Sequence, residues 1–65
     1  MTRKVQLWEV VLEVDGRRVV RHERVEFGQD LAAASAEAHA IRTALANGAT
    51  HARCISSRFL YEVEA

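Results

Sequence analysis

The sequence predicts a small α+β domain: an antiparallel sheet of three or four strands with one helix packed on a face, in the order β-β-α-β. Three observations carry this expectation. Two alternating apolar runs meet at Asp15-Gly16, an alanine-rich stretch follows them, and a further alternating run closes the chain. The last run leaves room for an extra C-terminal strand.

The first strand is expected from about Lys4 to Val14 and the second from about Arg17 to Phe27. Asp-Gly is a preferred pair for a two-residue type I′ turn, because both central residues need positive φ. That turn sets the register. Val14 falls opposite Arg17, Leu12 opposite Val19, Val10 opposite Arg21, Trp8 opposite Glu23 and Gln6 opposite Val25. On the other face Glu13 meets Arg18, Val11 meets Val20 and Glu9 meets His22. A three-residue loop would set Glu9 against Glu23, a like-charge pair. The face with Trp8, Val10, Leu12, Val14, Val19, Val25 and Phe27 is the more apolar and is expected to carry the core. Val5, Leu7, Val11 and Val20 lie on the other face, an apolar set that a partner could bury.

The helix is expected from an Asp30 N-cap to Asn47, with Gly48 at C′. Leu31, Ala34, Ala38, Ile41 and Leu45 fall at three-four spacing and predict its packed stripe. About sixteen residues give roughly 24 Å, enough to cross a short sheet once. The many other alanines raise helix propensity or permit close approach of a second helix. From Thr50 to Ala65 a single strand would span about 53 Å against roughly 36 Å for the hairpin. It must bend or break. Ser56-Ser57 is the expected place, giving a third strand over His51 to Ser56 and a tail from Arg58 to Glu64 that folds back or reaches a second copy.

Sixty-five residues are expected to make one domain, 1–65. Such a chain buries only about 60% of its unfolded surface, so a partner or a second copy would add needed burial. Cys54 is the one cysteine, which rules out an internal disulfide and points to a reducing, cytoplasmic setting. The start of the chain lacks an apolar run of signal length, and neither export nor a membrane span is expected. Nine Lys plus Arg balance nine Asp plus Glu, and this zero net charge disfavours binding to a phosphate backbone. Frequent alanine and arginine suit a GC-rich bacterium or its phage.

Catalytic chemistry finds no support in the residue pattern. His22, His39 and His51 fall on a strand, a helix and a loop without metal-ligand spacing. Cys54 reads as a small core residue in mid-strand rather than a nucleophile. Glu37 and His39 are not one helical turn apart, and Ser56-Ser57 has no glycine-framed elbow. Gly16, Gly28 and Gly48 sit at element boundaries and form no phosphate loop. No cofactor is implied. Trp8 is expected to anchor the core, or to be an exposed hot spot should the faces be reversed.

The leading expectation is a non-enzymatic protein-binding module, a bacterial or phage inhibitor or adaptor acting stoichiometrically on a larger complex. Arg17, Arg18, Arg21 and Arg24 would supply charge, and Phe59 and Tyr61 apolar anchors. Two alternatives stand beside it: a nucleic-acid-binding module using the second-strand arginines, and a structural homo-oligomer such as a homodimer.

Overall fold

A computed structural model describes residues 4–26 and 32–64. It contains β1 (Lys4–Val14), β2 (Arg17–Glu26), α1 (Ala32–Ala46) and β3 (Ala52–Glu64). The strands form one antiparallel sheet in the order β2-β1-β3, with the helix on one face. The α+β class and element order read from the sequence are those of the structure.

The hairpin has the expected register throughout, Val14 pairing with Arg17 and Gln6 with Val25. Its turn explains this. Asp15 has φ 49° and Gly16 φ 83°, the two positive values that a type I′ turn requires. Asp15 also clamps the distant α1–β3 loop. Its carboxylate accepts hydrogen bonds from Thr50 N–H at 3.1 Å and His51 N–H at 2.8 Å, and its own N–H donates to the His51 carbonyl at 3.0 Å. The His51 and Thr50 amides together hold the Asp15 carboxyl below the usual carboxylate range.

Gly48 ends the helix as expected. With φ 103° it donates to the Leu45 carbonyl at 3.1 Å, while Ala49 N–H reaches back to Ala44 at 3.1 Å. This is the Schellman pair of bonds, and it satisfies two carbonyls that the helix end leaves open. Asp30, Leu31, Gly28 and Phe27 lie outside the described residues.

The packed helix face differs from the predicted stripe. Ala36, Ala40 and Ala44 are buried, whereas Ala34, Ala38 and Leu45 are exposed and Ile41 is partly buried. Residues four apart lie in one row, and a row of methyl groups lets the helix backbone settle close to the sheet. In a helix with eight alanines among fifteen residues, apolar spacing carries little directional contrast. Val10, Leu12 and Val25 oppose the alanine row, with Trp8, Val14, Ile41, Ala52 and Cys54 packed around them. The core is thin, Leu12 and Val10 being its largest fully buried side chains.

The final run is one strand, not two. No break occurs at Ser56-Ser57, and no separate fourth strand forms among the described residues. Thirteen residues of β3 pair with eleven of β1 through two bulges. Val11 pairs with Ser56 and Leu12 with Cys54, passing Ile55; Leu7 pairs with Tyr61 and Trp8 with Phe59, passing Leu60. Each bulge absorbs one residue and adds local twist, so the excess length is taken up at Ile55 and Leu60 while Ser56 and Ser57 stay paired with Val11 and Val10. The molecule measures 42 × 19 × 17 Å, and a fifteen-residue helix of about 22 Å covers only part of the long sheet.

Candidate interaction surface

The helix covers the face bearing Val10 and Leu12, which leaves the opposite face open. Cross-strand pairing lays that face out in rows running from β2 through β1 to β3. Arg24, Leu7 and Tyr61 form one row; His22, Glu9 and Arg58 the next. Val20, Val11 and Ser56 follow, then Arg18, Glu13 and Arg53. Apolar and charged rows therefore alternate along the sheet.

The acidic spine of this face is neutralised from within. Glu9 accepts Arg58 Nε at 3.1 Å and lies 3.8 Å from His22 Nε2. Glu13 accepts Arg53 Nε at 3.0 Å, and this hydrogen bond, reinforced by the guanidinium charge, holds the Glu13 carboxyl below its ordinary value. Arg18 and Arg24 differ. Both are exposed and neither makes a direct salt bridge among the described residues, although the charge of Arg18 acts on Glu13 beside it. Val20 is 53% exposed, Tyr61 52% and Val63 40%, a grouping unusual for large apolar side chains on a solvated sheet face.

The sheet divides the six residues expected to bind a partner. Arg18, Arg24 and Tyr61 share the open face, while Arg17, Arg21 and Phe59 belong to the helix side by the alternation of their strands. The second-strand arginines are thus not one stripe. Arg21 Nε lies 3.6 Å from the buried carboxylate of Glu23. Phe59 packs edge-on against Trp8, with ring centres 5.9 Å apart and planes at 73°. Trp8 is half-buried on the core face, and its Nε1 donates to Gln6 Oε1 at 3.1 Å.

Two polar pairs on the helix side escaped sequence reasoning. His39 Nδ1 meets Glu23 Oε2 at 2.7 Å, and Ser57 Oγ donates to Glu37 Oε2. They tie opposite flanks of the helix to β2 and β3. A signal for the first was present, since the hairpin register puts Glu23 beside Trp8 on the core face, where a carboxylate needs a partner. Which helical residue supplies it depends on how the helix is rotated. No family model, curated protein or solved structure matches the chain.

The remaining chemistry-bearing groups stand apart. Burial first, then the nearby Glu37 carboxylate, pushes the Cys54 thiol up, and its Sγ donates to the Ser56 carbonyl at 3.4 Å. Nucleophilic cysteines need the opposite shift. Among the described residues no three His, Cys, Asp or Glu side chains gather to hold a metal, and no helix is long and apolar enough to cross a membrane.

Proposed function

We propose that the chain is a non-enzymatic protein-binding module that docks a larger protein on the helix-free face of its sheet. The observation that carries this reading is the combination on one face of exposed Val20, Tyr61 and Val63 with two exposed cations, Arg18 and Arg24. Such a surface suits a partner with apolar side chains framed by carboxylates. The apolar rows would supply burial and the arginines would select register, since aromatic and arginine side chains dominate interface energetics. The half-buried Cys54 thiol, pushed up by burial and by the Glu37 carboxylate, supports a role without covalent chemistry. The module would act stoichiometrically, as an inhibitor or adaptor in a bacterial or phage setting.

The test is capture from bacterial lysate, with nuclease present, by the tagged wild type, by Tyr61→Glu and by the helix-side control Leu45→Glu. A stoichiometric protein held by the wild type and by Leu45→Glu but lost by Tyr61→Glu supports the reading. No capture with nuclease present where a nuclease-free control captures, or capture that Tyr61→Glu leaves intact, overturns it.

A further inference from the structure

The outer edge of β2 pairs with no strand among the described residues, and its sequence is complementary to itself. In a two-residue hairpin the residues flanking the turn, Val14 and Arg17, form a hydrogen-bonded pair, and such pairs then recur at every second position. Odd-numbered residues of β2 thus direct their backbone groups to β1. Arg18, Val20, His22, Arg24 and Glu26 direct theirs away from the sheet, where β2 has no neighbouring strand among the described residues.

We propose that the chain forms a twofold dimer through this edge, β2 of one protomer running antiparallel to β2 of its partner about a dyad at His22. Centring on His22 sets Arg18 against the partner's Glu26, Val19 against the partner's Val25, Val20 against the partner's Arg24 and Arg21 against the partner's Glu23. Between Arg18 and Glu26 every formal charge but that of Arg24 meets its opposite, His22 meets its own copy on the dyad, and Arg24 lays its aliphatic stem over Val20. The outward-facing residues pair only with one another, as the backbone requires. Neighbouring registers fail. Centring on Arg21 places arginine on arginine there and again at Arg18 with Arg24, and centring on Glu23 places glutamate on glutamate. A register centred between residues would match outward-facing with inward-facing groups. The charges that usually guard an edge against pairing therefore select one register here.

One further observation supports a strand at this position. A groove of about 420 Å³ runs between the β2 edge and the helix, lined by Arg24 and Glu26 on the strand and Ser35, Ala38, His39 and Arg42 on the helix. These helix positions form one face, distinct from the buried alanine row, and the small Ser35 and Ala38 leave room there. The product is a six-stranded sheet with both helices on one side and both open faces continuous on the other. The seam takes up Arg18, Val20 and Arg24 at the border of the docking face and leaves Tyr61 and Val63 open to a further partner.

Solution mass by light scattering and sedimentation tests it. The wild type is expected at twice the protomer mass. Arg18→Glu and Glu26→Arg alone should each weaken association by about tenfold or more, because each creates two like-charge pairs by symmetry. Their equimolar mixture should restore the dimer, since every pair in the mixed species is again opposite in sign. Arg18→Glu also faces Glu13 within the chain, so a second variant is needed. Val20→Pro removes an outward-facing N–H that the hairpin does not use, and it too should dissociate the dimer while the circular dichroism stays native. A wild type that remains at protomer mass, single variants that keep the wild-type mass, or a mixture that stays dissociated would overturn the proposal. So would dissociation by Tyr61→Glu alone, which would move the interface to the open face.

Discussion

Substituting Ala40→Leu and, separately, Leu45→Ala puts the helix orientation to a direct test. Ala40 is fully buried in the alanine row against the sheet, while Leu45 is 45% exposed on another side of the helix. Adding three carbons at Ala40 forces the helix off the sheet or the new side chain off its rotamers. Overpacking of this kind costs about 1–3 kcal/mol. Removing the same carbons from Leu45 loses a group already half in water, so the cost should stay near 1 kcal/mol or below, against about 2–5 kcal/mol for a fully buried leucine. For a domain of this size 1 kcal/mol corresponds to roughly 4–8 °C in melting temperature, so Ala40→Leu should melt about 10 °C lower. Urea unfolding followed by the fluorescence of Trp8, half-buried against Phe59, reads both variants at one fixed protein concentration. The reasoning fails if Leu45→Ala proves the more destabilising, because that is the result expected of the stripe through Leu31, Ile41 and Leu45.

Acid should loosen the clamp between the hairpin turn and the α1–β3 loop. Folding lowers the carboxyl pKa of Asp15 and of Glu13, so the unfolded chain takes up protons first. The stability they contribute is present above their ordinary values of 3.8 and 4.5 and is lost as pH falls through the lower folded values. Urea midpoints measured from neutral pH down into this range should decline, and Asp15→Asn, which tolerates the same turn conformation, should flatten part of that decline; an unchanged acid limb would count against the clamp. Gly48→Ala should destabilise by about 1–2 kcal/mol although nothing lies within 4 Å of the added methyl, because φ 103° is strained for any side chain. Thermal melting of Gly48→Ala beside Gly48→Asn separates backbone strain from lost packing, since asparagine should recover part of the difference.

The hairpin and the helix end were legible because their causes are local. Asp15-Gly16 fixes a turn through the conformational preferences of two residues, and the turn alone aligns every pair of β1 with β2. Gly48 closes the helix by bonds reaching only five residues back. Alternation then shows which hairpin face is richer in apolar residues; of Val5, Leu7, Val11 and Val20 on the other face only Val20 is exposed, while Val5 is buried. What the tertiary structure decided depends on contacts distant in sequence. Alanine on nearly every side cannot aim a helix, so the choice of Ala36, Ala40 and Ala44 comes from how closely its backbone can approach Val10 and Leu12. That rotation in turn delivers His39 to Glu23 and Glu37 to Ser57. Chain length showed that the final run had to yield somewhere, but the bulges at Ile55 and Leu60 are set by matching thirteen residues of β3 to eleven of β1, a pairing made only when the ends of the chain meet.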